Sequence, residues 1–171
     1  MAAKDEIDRL KNLLGLQPHP AGFGSFVENW RAERQVTFVH PTSHDGPRSS
    51  SSSIYFMLEG TNFISFHLLL SDEFFYWHAG GKVKIHLIDK DGNHSSHLLG
   101  DTLKNPECRY YVAVPHDTWY AAEIIENAPY VLYSAVVAPG WELRDWTEGK
   151  KDELSKQYPQ HKEKFEKLCY I

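Results

Sequence analysis

Positive charge is in short supply in this chain. Lys and Arg number 18 against 23 Asp and Glu, a formal net charge of −5. With no cationic surplus to neutralise phosphates, a nucleic-acid partner is not expected. Cysteine is scarce as well: Cys108 and Cys169 stand far apart, without the paired spacing of a zinc site. Two thiols exclude a disulfide framework and, with no signal-peptide pattern, point to the reducing cytoplasm. Apolar runs are short, and none approaches the ~18 residues of a spanning helix, so no membrane is expected. The Lys-Asp-Glu-Leu string at Lys151 to Leu154 is internal and cannot act as a retention signal.

Apolar and aromatic side chains are plentiful, at 42% and 13% of 171 residues. That composition belongs to a folded globular chain, read here as one domain over 1–171 that buries roughly two-thirds of its unfolded surface. Ala3 to Leu14 patterns as an amphipathic helix, with Ile7, Leu10, Leu13 and Leu14 on one side and Gly15 as its stop. Strands follow at Phe26 to Arg31, Gln35 to His40 and Ile54 to Leu58, then Lys82 to Ile88, Ser95 to Leu99, Arg109 to Val114, Trp119 to Ile125 and Tyr130 to Ala138. His44 to Ser53, with Gly46, Pro47 and five consecutive serines, reads as a solvated loop. Asp91-Gly92 marks a hairpin between two of the strands, and Pro115 to Thr118 marks a corner after which Trp119 to Ile125 is expected to pair back. Helices are predicted at Lys150 to Gln157 and Pro159 to Leu168. Short, regularly spaced strands with helices only at the ends predict an all-β sandwich or barrel.

The chemistry concentrates in Ser65 to Gly80, SFHLLLSDEFFYWHAG. Period two puts His67 and Leu69 on one face and, after the Asp72 turn, Glu73, Phe75 and Trp77 on one face. A histidine and a carboxylate converging in an aromatic strand pair are a metal site, an acid–base pair or a buried hydrogen bond. His19, between two prolines, reads as a loop-packing residue. His94, His97 and His116 read as exposed turn or edge residues, and His161 as a solvated helix residue.

His67, Leu69, Glu73 and Gly80 form H-x-L-x-x-x-E followed by six residues and a glycine, while Pro115, Asp117 and Tyr120 form P-x-D-x-x-Y. These resemble the two motifs of the cupin superfamily, H-x-H-x(3,4)-E-x6-G and P-x-G-x-x-H. HPAG at His19 to Gly22, SIYFML at Ser53 to Leu58, VPHDTWYAA at Val114 to Ala122 and VVAPGWELRDW at Val136 to Trp146 recur in order. Together they resemble the RmlC-like branch known as the fifth cupin family, formerly a domain of unknown function, over essentially the whole chain. The resemblance implies a cupin-type double-stranded β-helix, or jelly-roll barrel, over 26–146, with an N-terminal helix at 3–14 and a helical tail at 150–168. The sequence departs from that family at Ala21, where an acid is usual, at Phe66 and Leu68 around His67, and at Tyr76, often a histidine.

In a typical cupin three histidines and the glutamate hold a divalent metal. Here Leu69 and Tyr120 stand at two of those positions, leaving His67 and Glu73 as two weak candidate ligands, fewer than the three or four that a divalent site uses. No cofactor is therefore expected. An acid–base pair needs less: His67 oriented by Glu73 as base, with Tyr120 or Tyr76 as acid, which resembles the RmlC-like sugar epimerases. Tyr55, Phe75, Trp77 and Trp119 are the expected ligand-binding walls, since flat aromatic faces suit a sugar or nucleoside ring. A buried structural pair of His67 and Glu73 accounts for the residues equally well. The leading expectation is a barrel that binds a small sugar-like or nucleotide-like molecule. The alternative is an isomerase or epimerase, and the third reading is a metal-dependent oxygenase. A homodimer is expected through an open edge, with Gln35 to His40 as the candidate strand.

Overall fold

The computed structural model describes residues 3–20, 22–39 and 42–171. Helix α1 spans Ala3–Leu14, as its periodicity predicts. Gly15 at φ 69 ends it in the left-handed conformation that glycine adopts without cost, and the Leu16 amide turns back onto the Lys11 carbonyl. The chain continues through β1 (Gln17–Pro18), β2 (Ser25–Arg31), β3 (Gln35–Val36), β4 (Arg48–Ser49) and β5 (Ser52–Glu59). Next come β6 (Phe63–Leu69), β7 (Asp72–Gly80), β8 (Lys82–Ile88) and β9 (His94–Leu99). The body ends with β10 (Tyr111–Val114), β11 (Trp119–Ile125), β12 (Tyr130–Ala138) and β13 (Trp146–Glu148), followed by the tail helices α2 (Lys151–Gln157) and α3 (Lys162–Leu168).

The strands form a six-stranded sheet in the order β1-β2-β5-β12-β7-β10 and a five-stranded sheet in the order β13-β6-β11-β8-β9, with β3-β4 as a small pair. The pairings between these strands are antiparallel, with an isolated parallel bridge from Leu99 to Arg109, and the two large sheets face each other over one apolar core, the jelly-roll arrangement expected. Phe56, Phe75, Val131, Tyr133, Ala135 and Val137 point inward from one sheet, and Ile64, Leu69, Ile85, Leu87, Tyr120 and Ala122 from the other. A second apolar cluster lies outside the five-stranded sheet, where Phe66, Ile88 and Ala121 receive Leu154, Phe165 and Leu168 of the tail. A third lies outside the six-stranded sheet, where α1 packs Ile7, Leu10 and Leu14 against Met57, Tyr130 and Leu132.

Three expectations about pairing are corrected. β6 and β7 do not pair: the short Leu70–Ser71 link crosses from one sheet to the other, so the strand carrying His67 and the strand carrying Glu73 confront each other across the core. The corner after Val114 also changes sheet, so β10 pairs with β7, while β11 pairs with β6 and β8. The strand expected over Gln35 to His40 is only Gln35–Val36, with His40 outside the described residues. It pairs within this chain to Arg48–Ser49 in the segment read as a solvated loop. That segment is held inward: Arg48 is buried, its Nε and Nη2 donating to both Asp145 carboxylate oxygens at 2.7 Å, and Ser49 and Ser52 are buried beside it.

Candidate functional site

β6 aims His67 into the core beside a local irregularity. Along β11 the partners run Tyr120 to His67 and then Ala122 to Ile64, so β6 carries one extra residue there. That bulge turns Phe66 outward to the tail helices while keeping both Ile64 and His67 inside. Directly opposed strand residues share a face, and the His67 and Tyr120 rings accordingly lie 4.0 Å apart, centroid to centroid. The Tyr120 hydroxyl crosses the core to donate to Glu73 Oε2. Phe75 packs edge-on to Tyr120 at 5.9 Å and to Tyr133 at 5.5 Å. Trp146 on β13 closes the far side of His67 at 6.1 Å.

Gly80 and Asp117 show why the two motifs keep their spacing. At Gly80 a β-carbon would sit 2.3 Å from the Tyr130 carbonyl oxygen, and φ is 89, so only glycine fits where β7 hands over to β8. Asp117, where the resembled motif has glycine, takes φ 55, and its amide donates to the Leu69 carbonyl at 3.0 Å. Asp is among the few side chains that adopt this conformation readily.

The electrostatics follow from burial. His67 Nδ1 lies 2.8 Å from the Ser65 carbonyl, which can only accept, so Nδ1 carries the proton and Nε2 is left with its lone pair. Desolvation, partly offset by that hydrogen bond, pushes the ring pKa down to about 4 and keeps it neutral. Glu73 is shifted the other way, up to about 7, by the same loss of solvent, and the Tyr120 hydrogen bond only partly counteracts it. Burial and the neighbouring Glu73 also raise the Tyr120 and Tyr133 phenols well above their ordinary value. The Tyr133 hydroxyl is buried with no hydrogen-bond partner among the described residues. His19 adds a second ring, half-buried in a stack with Phe23 at 5.1 Å, and its charge opposes protonation of His67.

The structure brings together His67, Glu73, Tyr120 and Phe75, with Trp77 packed partly buried against the same core. Three predicted site residues lie elsewhere. Trp119 faces the tail helices beside Phe66 and Ile88, because it alternates with Tyr120 along β11. Tyr76 alternates with Phe75 and Trp77, is 40% exposed, and meets Tyr111 at a tilt outside the barrel. Tyr55 faces outward beneath α1 and meets His78 edge-on. Tyr133 is the residue missed, since β12 is buried on both faces and its sequence has no polar alternation to mark the inward side. Ala21, the site of the family's acid, lies outside the described residues.

Two other histidines depart from expectation. His161 is held to the Gly92 carbonyl at 2.9 Å, and His94 is half-buried 3.2 Å from His86 Nδ1. His86, unremarked in the sequence, is buried and engages Glu123 at 3.2 Å.

A divalent metal at the motif position does not fit the donors present. Leu69 offers a hydrocarbon, the Tyr120 phenol is difficult to ionise and already bonded to Glu73, and His67 and Glu73 alone are two donors. Among the described residues no group of three or more His, Cys, Asp or Glu side chains is placed to hold a metal ion. Nor is any helix among them long and apolar enough to cross a membrane. What remains is a neutral imidazole with an available lone pair, a protonatable carboxyl and two phenols in one apolar enclosure. Such groups can donate and accept hydrogen bonds to a small molecule, or exchange a proton with it.

Comparison with known proteins agrees with this architecture. A protein from Shewanella oneidensis is 30% identical, with 95% of this chain and 96% of that one covered and a TM-score of 0.79. A hypothetical protein from Leishmania major is 26% identical over the whole of both chains, with a TM-score of 0.84. An oxalate decarboxylase from Lactobacillus farciminis shares the fold alone, at 12% identity and a TM-score of 0.55, with 91% of this chain matching 42% of that one. No curated protein matches the sequence. The family described as "Cupin superfamily (DUF985)" matches residues 8–148, and the chain belongs to it.

Proposed function

We propose that the barrel interior binds a small, uncharged, hydroxyl-bearing molecule of sugar-like character. The observation that carries this reading is the Tyr133 hydroxyl, buried beside the Glu73–Tyr120 pair with no partner among the described residues. An unsatisfied buried hydroxyl costs about 1–3 kcal/mol, and a ligand oxygen would remove that cost. Glu73, Tyr120 and the His67 lone pair supply further donors and acceptors, and Phe75 and Trp77 supply ring faces. Among the described residues the buried Lys and Arg side chains are Arg48 and Lys82, and both are engaged by acids, Arg48 by Asp145 and Asp45 and Lys82 by Glu126 and Glu107, which favours a sugar-like over a nucleotide-like ligand.

The test is a screen of free sugars, polyols and sugar phosphates by tryptophan fluorescence, with Trp77 and Trp146 as reporters. A true hit weakens by tenfold or more in Tyr133→Phe or His67→Ala and is unchanged in Tyr76→Phe, whose ring lies outside. Equal binding to all three variants would remove the barrel as the site.

A second reading, acid–base isomerisation, has its own support in His67, whose Nδ1 donates to the Ser65 carbonyl and so leaves the Nε2 lone pair available in a ring 4.0 Å from that of Tyr120. Glu73→Gln separates the two readings. A binding module keeps most of its affinity, whereas an isomerase binds and loses turnover by roughly a hundredfold or more.

A further inference from the structure

We propose that a notch at the open edge of β9, on the outside of the molecule, binds a small phosphate-bearing anion. The notch is a cleft of about 360 Å3 lined by Lys84, Ser96, His97, Leu98, Glu107 and Arg109. Among the described residues its two permanent cations have no carboxylate partner. Lys84 is half-buried and stands across from Glu123 on β11, but the Glu123 oxygens are committed to His86 at 3.2 Å and Lys167 at 2.5 Å. Glu107, the one acid of the cleft, is engaged by Lys82 at 3.2 Å. Arg109 uses only Nη1, donating to the Pro106 and Cys108 carbonyls at 3.0 and 2.9 Å, so Nε and Nη2 keep their donors. Those two nitrogens are the fork that grips a phosphate with two parallel hydrogen bonds.

The backbone adds to this. β9 is the last strand of its sheet, and the Leu98 carbonyl points off the edge to accept from the Arg109 amide at 2.8 Å. In a strand the N–H and C=O of one residue point to the same side, and residues two apart repeat the direction. The amides of Leu98 and Ser96 therefore also face the open edge, beside the Ser96 hydroxyl and the exposed His97 ring. Two cations, a hydroxyl and outward amides converge in a chain whose net charge is −5, so the local field opposes that of the molecule as a whole. A phosphate monoester, carrying about −1.5 to −2 charges at neutral pH, matches this donor set better than a singly charged carboxylate.

Amide chemical shifts followed during titration with inorganic phosphate at pH 7.5 and low ionic strength test the assignment. The expected result is saturable shifts at Ser96, Leu98 and Arg109, half-complete at or below about 1 mM, with acetate at least tenfold weaker. Lys84→Gln with Arg109→Gln should weaken phosphate by tenfold or more, while Lys164→Gln, which lies outside the cleft, should leave it unchanged. Arg109 is exposed and Lys84 half-buried, and the amide spectrum of the double variant reports directly that the fold is kept. Non-saturating shifts, equal binding of acetate, or undiminished binding by the double variant would overturn the proposal. The outcome is independent of the barrel, where no phosphate is expected.

Discussion

Tyr133 sits among Phe56, Phe75 and Val131 with its ring well packed and its hydroxyl without a partner among the described residues. If that hydroxyl is retained for a ligand, its removal should separate stability from binding. Tyr133→Phe is expected to stabilise the unliganded protein by about 1 kcal/mol, because the desolvation cost of the hydroxyl disappears while the ring stays. Urea unfolding of the free protein measures this, and a loss of stability would mean that the hydroxyl is satisfied in solution. At this scale the sequence was half legible. Alternation alone puts Glu73, Phe75 and Trp77 on one face, as found. The same alternation shows that Trp119 and Tyr76 cannot share the face of Tyr120 and Phe75, so expecting all four inside was inconsistent with strand geometry. Tyr133 was harder to place, because its strand is buried on both faces, whereas His67 falls inside with Leu69 as alternation puts it, and the bulge that leaves no mark in residue type only brings Ile64 onto the same face.

Among the elements, the polar segment from His44 to Ser53 is where composition misleads most. Its serines and glycine are those of a solvated loop, yet β4 is drawn beneath the surface by Arg48, whose partner Asp145 lies 97 positions further on. A guanidinium with zero exposure needs its charge met, and Asp145 meets it through two hydrogen bonds. Asp145 is followed by Trp146, the ring beside His67, so the ion pair also fixes one wall of the candidate site. Asp145→Asn should cost about 3 kcal/mol, since it leaves the buried cation to exposed Asp45 and to carbonyls. Arg48→Met combined with Asp145→Leu should cost less than Asp145→Asn, because no buried charge is then orphaned. Guanidinium denaturation of the three proteins decides it, and a double variant weaker than the single one would assign the stability to the pair itself. Strand positions were legible from turn residues and periodicity, and Lys82–Ile88, Trp119–Ile125 and Tyr130–Ala138 coincide with β8, β11 and β12. Strand partners were not, because a link as short as Leu70–Ser71 can either close a hairpin or cross between sheets.

For the molecule as a whole, burial of titratable groups sets how stability responds to pH, and the groups pull in opposite directions. Glu73 is raised from 4.5 to about 7, so the folded protein binds more protons than the unfolded chain in that window. Its contribution is fully present below pH 4.5 and is lost as pH rises through 7. His67 is depressed from 6.5 to about 4 by burial, so the unfolded chain takes the proton first and stability falls as pH drops from 6.5 toward 4. His94 behaves alike, depressed to about 4 by burial and then by Lys164, His86, His161 and Lys84 around it, with Glu123 the nearby anion held by His86 and Lys167. In this window Glu73 is opposed not only by His67 and His94 but by His19, His78 and His86, which burial depresses as well. The net slope below pH 6.5 is therefore a loss on acidification, and from pH 6.5 to just above 7 Glu73 alone gives a small opposite loss, after which its contribution is gone. Urea midpoints from pH 4 to 9 should pass through a maximum near pH 6.5, between the histidine window and the end of the Glu73 window. Glu73→Gln removes the alkaline limb and leaves the acid one. His94→Gln leaves the alkaline limb and softens the acid one, most of all where His94 ties β9 to the turn that precedes α3. An alkaline limb that persists in Glu73→Gln would show that the carboxyl is already ionised in the folded protein, and with it that the Glu73–Tyr120 contact is a charged one at neutral pH.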